Sequence, residues 1–294
     1  MNIKIYDMNT INYIILNDIK EYNIKIFSAD IKKLKDINKN NNDLLYYTTD
    51  ITNKHIIKLE KNFNNIISNL NNISDIIQLF KISNTNKKLK DYNSISYSNY
   101  YLCNNLLNKN CKNCKICYYA KNERFNNVML FRLKNYIFFN TLMYLYKTNY
   151  NLYKKILYTA IDNNKDLITD IIRINTGSDI KNNILLNIFN DMLLYIKFYY
   201  NKNIKFYTYS KTKDLNYNNI DKNFIINKSI SLINNINDLK KYKDYNNTFI
   251  TIDKNISIDL LNKSDIKYYL CKNNCNKCNN CNKYNNHITL CYKH

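Results

Sequence analysis

Residues 167–210 read LITDIIRINTGSDIKNNILLNIFNDMLLYIKFYYNKNIKFYTYS. The isoleucine-rich stretch from Leu167 to Asn175 predicts a β-strand, and Thr176 to Asp179 supply the turn that follows it. Apolar residues then recur at helical spacing from about Lys181 to Tyr200, and Ile204 to Ser210 predicts another strand. The stretch is therefore a strand-turn-helix unit leading into a further strand, which is typical of α/β proteins.

The sequence on either side continues this alternation of strands and helices. The further predicted elements are helices at Arg124–Lys147, Tyr153–Ile161 and Asp238–Tyr242, and strands at Phe224–Asn227 and Thr248–Asp253. We therefore predict an α/β fold built on an incomplete parallel barrel or an open parallel sheet, with a cysteine-rich C-terminal extension that binds metal. Functional groups in such sheets gather at the carboxyl ends of the strands.

The chain is predicted to have three parts. Residues 93–265 form the α/β core with a first cysteine cluster, and residues 266–294 carry a second. Residues 1–92 are predicted to be an N-terminal α+β extension, because apolar runs such as Tyr13–Leu16 and Ile56–Leu59 are short and are separated by Asn and Lys runs.

The composition reflects codon usage as much as fold. Asn, Ile, Lys and Tyr dominate the 294 residues, which include one glycine and neither proline nor tryptophan. The favoured residues have AT-rich codons, as expected for a phage, viral, plasmid or protist genome under AT pressure. The net charge of +21, from 44 basic and 23 acidic residues, predicts nucleic acid as a partner. Because the lysines are spread along the chain, a dedicated binding stripe is not indicated.

Two features of the sequence bear on the cellular compartment of the protein: the start of the chain and its most apolar stretch. Residues Met1 to Asp18 alternate polar and apolar side chains and do not resemble a signal peptide. The apolar stretch Val128–Tyr146 is interrupted by Arg132 and Lys134, which disfavours a membrane span and favours a buried amphipathic helix. We predict a cytoplasmic protein, in the host cytoplasm if the chain is viral, without a membrane partner.

Nine cysteines in a chain without a secretory signal favour thiolate ligands over disulfides. The first cluster is Cys103 followed by Cys111, Cys114 and Cys117, and two-residue gaps let successive thiolates wrap one iron-sulfur centre. Three ligands from this loop would leave one iron open for chemistry, whereas Cys103 as a fourth ligand would close the site. The loop lacks both the final Cys-Pro of ferredoxins and the gap order usual in radical S-adenosylmethionine (SAM) enzymes.

The second cluster offers four thiolates within eleven residues: Cys271, Cys275, Cys278 and Cys281. Such a set suits tetrahedral zinc or a cubane iron-sulfur cluster. Cys291, His287 and His294 follow closely, but four thiolates already satisfy one metal. A purely structural zinc site is the alternative to a functional centre.

Candidate substrate-binding residues lie at the ends of two neighbouring strands. They are Arg173, Asn175, Gly177, Ser178 and Asp179 after the first strand, and Tyr209 and Ser210 at the end of the next. Arg173 is suited to bind a carboxylate or phosphate, and the hydroxyl groups to orient a ligand. The alternative for Ser178 and Asp179 is that they cap the following helix. Gly177, the one glycine, is expected in a turn that tolerates nothing larger.

Several landmarks occur in a familiar order over residues 92–294. They are the segment 93–99, Cys117-Tyr118-Tyr119-Ala120 followed by Arg124, the stretch from Arg173 to Asp179, Tyr207-Thr208-Tyr209-Ser210, and the terminal cysteines. In these features the chain resembles the phage gene product 88 family of uncharacterised proteins and, more distantly, phage proteins with radical-SAM-like cysteine loops. The resemblance implies the fold and a metal centre. Asn175 stands where the family has His, so any role for an imidazole is lost here.

Two main hypotheses result. The first is a phage or viral metalloprotein with a [4Fe–4S] cluster at Cys111, Cys114 and Cys117, acting as a radical-SAM-like enzyme with S-adenosylmethionine on a small-molecule substrate that the sequence does not identify. The second is a zinc-stabilised protein that binds nucleic acid or another partner without catalysis. An assembly or host-interaction protein is a third reading, and no catalytic residue is indicated.

Overall fold

The structure is a computed structural model. It describes residues 8–40, 53–84, 92–98, 100–108, 125–175, 179–212, 214–243, 247–271, 280–281 and 288–292. The helices in these ranges are α1 Met8–Asn40, α2 Asn53–Ser68, α3 Ile73–Gln78, α4 Asn104–Leu107, α5 Asn126–Thr148, α6 Tyr150–Asp162, α7 Asn183–Tyr199, α8 Ile236–Lys240 and α9 Ile258–Asn262. The strands are β1 Asn93–Ile95, β2 Ile171–Ile174, β3 Lys205–Ser210, β4 Phe224–Ile233, β5 Thr248–Ile252, β6 Tyr268–Leu270 and β7 Ile288–Tyr292.

The described strands form one parallel sheet in the order β1-β2-β3-β4-β5-β7-β6. The predicted α/β class with a parallel sheet is therefore confirmed. Of the two predicted forms, the sheet takes the open one, and among the described strands β1 and β6 lie at its edges.

The N-terminal part differs from the prediction of short strands and helices. The apolar runs Tyr13–Leu16 and Ile56–Leu59 both lie inside helices, α1 and α2. Phe27 of α1 stacks on Phe63 of α2 with ring centroids 3.7 Å apart. These helices share one hydrophobic core with α5, α6 and α7. Among the described helices, none is both long and apolar enough to span a membrane.

Helix α5 is the buried helix that the apolar stretch predicted. Its polar residue Asn135 is fully buried and satisfied. The Asn135 side chain accepts a hydrogen bond from the Lys81 N–H at 2.8 Å and donates to the carbonyls of Lys81 and Ser96, each at 3.0 Å. This amide tolerates burial because protein groups replace its water contacts.

The two faces of the sheet differ in chemistry. Side chains alternate along each strand, and one set packs under the helices; we call it the helical face, and it includes Ile172, Phe206, Phe224, Ile250 and Leu290. The alternate set, the polar face, includes Arg173, Tyr209, Asn227, Thr289 and Cys291. Strands of a fully covered parallel sheet are apolar on both sides, so the polar face marks the region where function is expected.

The strand order reverses at the end of the chain. From β1 to β5 each new strand lies next to the preceding one, and the sheet grows in one direction. Strand β6 then lies one position further out, and β7 fills the gap between β5 and β6. Crossovers between parallel strands are right-handed, so a reversal of direction moves the connection to the opposite face of the sheet. By this rule, the described residues 280–281 of the connection from β6 to β7 are expected on the polar face.

Candidate functional site

The described residues of this connection lie on the polar face, as the handedness rule requires. The Asn280 side chain donates to Thr289 Oγ1 of β7 at 3.2 Å. The Cys281 carbonyl accepts from Asn227 Nδ2 of β4 at 2.9 Å, and the same amide also donates to the Thr208 carbonyl at 3.2 Å. Asn227 is buried, so these bonds replace water that it cannot reach. Cys281 is thereby held over the middle of the sheet.

Cys281 meets two of the predicted substrate-binding residues there. The Tyr209 hydroxyl is hydrogen-bonded to the Cys281 side chain. The Arg173 guanidinium lies over the Tyr209 ring, 5.1 Å from its centroid, within cation–π range. Phe249 of β5 packs its ring edge-on against Tyr209 at 4.9 Å and 65°. Arg173, Tyr209 and Cys281 therefore form one cluster, which we call the polar-face cluster.

Tyr209 remains a hydroxyl donor in this setting. Burial raises its pKa well above the ordinary value; the Cys281 thiol raises it further, and Arg173 counteracts the shift. A protonated phenol can donate to the sulfur while its ring carries the guanidinium. The cluster thus combines a cation, a hydroxyl donor and a thiol on one surface.

Two more cysteines are neighbours at the carboxyl edge. The Cys271 N–H donates to the Leu290 carbonyl at 2.7 Å, which extends the β6–β7 ladder by one residue and sets Cys271 opposite Cys291. Adjacent strands are about 4.8 Å apart. Cys291 was not part of the predicted ligand set, although its place in the strand ITLCY, on the same face as Thr289, was a signal that alternation could have supplied.

The other predicted substrate-binding residues have structural partners. Asp179 is buried and accepts three hydrogen bonds: from Ser210 Oγ at 2.5 Å, from the Ile180 N–H at 2.7 Å and from the Lys211 N–H at 2.6 Å. The carboxylate thus ties the end of β2 to the end of β3. It is not the cap of α7, because Asn182 holds that position and its side chain caps the first turn.

Asn175 also joins two strand ends. Its φ of 53° is in the left-handed region, which Asn tolerates better than most residues. Its N–H donates to the Ile95 carbonyl at 2.7 Å, and its side-chain oxygen accepts from the Tyr97 N–H at 2.9 Å. Asn175 is buried, and these two bonds shape the carboxyl edge of the sheet.

A buried polar group at the same edge was not anticipated from the sequence. Tyr136 of α5 donates to Asp30 of α1 at 2.7 Å, and Tyr97 donates to Asn140 at 3.1 Å. Burial, together with the negative charge of Asp30, raises the pKa of both tyrosines well above the ordinary value. Nearby Lys181 has its pKa lowered by burial, with Asp30 opposing the shift. These residues come from segments far apart in the sequence, so no local motif predicts the group.

The remaining predicted site residues are only partly within the described chain. Cys103 is buried beside Leu102 and Leu106 at the start of α4, within the main core. Outside the described residues lie Cys111, Cys114, Cys117, Gly177, Ser178, Cys275 and Cys278. Within the described ranges, no three His, Cys, Asp or Glu side chains are grouped closely enough to hold a metal ion.

Comparison with known proteins identified no relative of this chain. The chain matches no protein-family model, and no curated protein or solved structure is significantly similar to it. The resemblance to the phage gene product 88 family therefore stays a prediction based on the landmarks in the sequence.

Proposed function

We propose that this protein is a metalloprotein whose cysteine clusters hold an iron-sulfur centre, and that the polar face of its sheet serves as the surface of a radical-SAM-like active site. The observation that carries the proposal is the position of Cys281. The reversed connection brings this member of the second cysteine cluster to Tyr209 and Arg173. One thiol of that cluster and the Arg173 guanidinium thereby both contact Tyr209.

The donor set fits such a centre. Cys271 and Cys291 are opposite each other on adjacent strands, and thiolates are the ligands that iron-sulfur clusters and zinc share. Cys275 and Cys278 follow within the same connection, and Cys111, Cys114 and Cys117 form the proposed iron-sulfur loop. When bound, an iron-sulfur cluster supplies one-electron transfer, in this proposal to S-adenosylmethionine.

The described residues would serve this chemistry by binding and orientation. Arg173 would hold a carboxylate, such as that of the methionine part of S-adenosylmethionine, through its planar pair of donors. Tyr209, whose hydroxyl donates to Cys281, would orient the Arg173 guanidinium through its ring. The proposal leaves the substrate as a small molecule of unspecified class.

The alternative proposal is a zinc-stabilised protein that binds nucleic acid or another partner without catalysis. It is supported by the net charge of +21 and by the suitability of four local thiolates for tetrahedral zinc. In that case the cysteine clusters would stabilise the polar face and the lysines would contact phosphates.

The deciding experiment is anaerobic purification followed by the visible spectrum and by iron, zinc and acid-labile sulfide content per chain. Broad absorbance near ~400 nm with iron and sulfide would support the first proposal, and reductive cleavage of S-adenosylmethionine would then be assayed. Stoichiometric zinc without iron would contradict it and favour the alternative.

Two grouped variants would assign the metals to the clusters. Replacing Cys111, Cys114 and Cys117 by Ser should remove iron and sulfide, whereas replacing Cys275 and Cys278 by Ser should remove only the metal of the second cluster. Cys103→Ala serves as the comparison: if the iron centre takes three ligands, iron content is unchanged, and if it takes four, iron is lost.

A further inference from the structure

Three tyrosines on helices α6 and α7 are stacked face to face. The Tyr158 ring of α6 lies on the Tyr195 ring of α7, with centroids 4.0 Å apart and an interplanar angle of 6°. Tyr195 in turn stacks on Tyr199 at 5.0 Å and 14°. Because Tyr195 and Tyr199 are four residues apart on α7, their side chains lie on the same side of that helix. We call these three residues the tyrosine stack.

Hydrogen bonds to one carboxylate hold the tyrosine stack in place. The Tyr195 hydroxyl donates to Asp162 of α6, with distances of 2.9 and 3.2 Å to the two carboxylate oxygens. The Tyr200 hydroxyl donates to the same carboxylate at 2.6 Å, and its ring stands at 85° to Tyr195 and at 84° to Tyr199. The rings are therefore already ordered, so little side-chain entropy is lost when a partner binds them.

The tyrosine stack ends at an exposed aromatic pair, Phe198 and Tyr199, which we call the aromatic patch. The two residues are 74% and 68% exposed, more than any other large hydrophobic residue in the described ranges. Exposed, rigid aromatic side chains commonly anchor protein interfaces. Because one face of Tyr199 packs on Tyr195, its exposed area leaves the other side of the ring open to a partner.

The surface around the aromatic patch carries no net charge. Residues 162–170 and 197–205, which include the ends of α6 and α7, are joined at the patch by the hydrogen bonds to Asp162. The charged residues of these two segments, together with Asp221, which pairs with Lys197 at 2.9 Å, number four of each sign. They are Lys165, Lys197, Lys202 and Lys205, and Asp162, Asp166, Asp170 and Asp221. Because polyanion binding depends on net positive charge, this surface is not suited to nucleic acid.

The charge of the rest of the chain decides which partner fits this neutral surface. At a net charge of +21, two copies repel each other wherever their basic surfaces would meet. A neutral aromatic patch lets two copies approach without that repulsion, and a two-fold contact brings the same patch of both copies together. We infer that the aromatic patch is the contact between two copies of this chain, with the Tyr199 rings meeting so that the two tyrosine stacks continue end to end.

The aromatic patch and the polar-face cluster lie on different sides of the protein. Helix α7 leads into β3 and α6 leads towards β2, so the patch lies near the amino ends of these strands, beside the helical face. The polar-face cluster lies on the other face of the sheet. The inference is therefore independent of the proposed metal chemistry.

Sedimentation velocity of the full-length protein over a range of concentrations tests the inference. Two aromatic side chains from each copy bury about 600–1,000 Å² in total, which is less than the roughly 1,600 Å² of a standard stable interface. We therefore expect a reversible dimer with a Kd of about 1–100 µM. A protein that stays monomeric well above the upper end of this range would overturn the inference.

Tyr199→Lys is the main variant. In a two-fold contact it places two positive charges face to face, which should weaken dimerisation at least about tenfold. A lysine in the last turn of a helix is compatible with folding. The control Tyr13→Lys makes the same change at a residue of α1 that is 66% exposed and lies outside the patch, and it should change the Kd less than about twofold. Equal weakening by both variants would contradict the inference.

Phe198→Ser is a second variant, which adds no charge. It removes an aromatic ring from the contact and should weaken dimerisation about tenfold. Dimerisation that is unaffected by both Phe198→Ser and Tyr199→Lys would show that the contact lies elsewhere on the protein. Circular dichroism of each variant establishes that it is folded.

Two further measurements distinguish other causes of association. Raising the sodium chloride concentration from about 50 to 500 mM should strengthen the dimer, because salt screens the repulsion between two chains of like charge. Weakening by salt would indicate ionic contacts and overturn the inference. The protein is treated with nuclease before measurement, and loss of association after that treatment would show that nucleic acid bridges the copies instead.

Discussion

Cys271 lies opposite Cys291 in the register of β6 and β7, with the Cys271 N–H bonded to the Leu290 carbonyl at 2.7 Å. Cys281, which is nearer to Cys271 in sequence, is instead held at Tyr209 on β3. For the proposed second metal centre, we therefore propose Cys271 and Cys291 as ligands in place of Cys271 and Cys281.

Replacing Cys291 tests this revision. Cys291→Ser should lower the metal content as much as Cys271→Ser does, measured by elemental analysis of purified protein. Thr251→Ser, opposite Cys291 on β5, is the control and should leave the metal content unchanged. Full metal retention in Cys291→Ser with loss in Cys281→Ser would restore the four local cysteines as the ligand set.

Ser210→Ala tests the bond between the ends of β2 and β3. The change removes one of the three donors to the buried Asp179 carboxylate and should lower the free energy of unfolding by about 1–3 kcal/mol. The control Ser68→Ala removes an exposed hydroxyl bonded to the Asn65 carbonyl, so its effect should stay within about 0.5 kcal/mol. Urea denaturation measures both, and equal effects would argue against a special role for this carboxylate.

Asn175→Ala should be more destabilising than Asn201→Ala. Both residues have positive φ, 53° and 50°, so each substitution adds about 1–2 kcal/mol of backbone strain. Only Asn175 also accepts a hydrogen bond from the buried backbone of Tyr97, which adds about 1–3 kcal/mol. Asn175→Gly should avoid the backbone strain but should not restore the hydrogen bond to Tyr97. Identical denaturation midpoints for the two alanine variants would contradict this assignment.

Stability should fall at alkaline pH because of the buried tyrosines. The pKa values of Tyr97, Tyr136 and Tyr209 are raised in the folded protein, first by burial. The folded state therefore keeps these protons while the unfolded state releases them above about pH 10, so stability is full below that pH and is lost as pH rises.

Tyr136→Phe should reduce this pH dependence. Each buried tyrosine contributes a slope of about 1.4 kcal/mol per pH unit above the unfolded pKa, and the variant lacks one of them. Urea denaturation from neutral pH to about pH 11 measures the slope. Phe138→Leu, a core substitution on the same helix, is the control: it should lower stability equally at all pH values. An unchanged slope in Tyr136→Phe would contradict the prediction.

The local sequence pattern was sufficient to predict an element where one face of that element is consistently apolar. Helix α7 and strands β3 and β5 lie within a few residues of their predicted bounds, because their apolar spacing repeats without interruption. Strand β4 was predicted only to Asn227 but continues to Ile233. Its continuation begins with Lys228 and Ser229, polar residues that interrupt the apolar pattern of the strand.

The N-terminal helices could not be predicted from the local sequence pattern. Their Asn-rich stretches read as breaks between short elements, yet Asn23 is fully buried in α1 and bonds to Thr141 of α5 at 2.9 Å. Interhelical packing supplies the stability that intrinsic helix propensity does not. Without knowledge of the partner helix, the length of α1 could not be predicted.

The sequence by itself determined the α/β class, the alternation of the central elements and the grouping of the cysteines, since each depends on residues close together along the chain. Only the tertiary structure decided that Arg173 and Tyr209 lie at Cys281, that Cys291 lies beside Cys271, and that Lys228 lies on the helical face of the sheet. These relationships depend on strand order, and the reversal between β6 and β7 places residues 280–281 on the other face of the sheet. Strand order is set by burial summed over the whole chain, and no single segment encodes it.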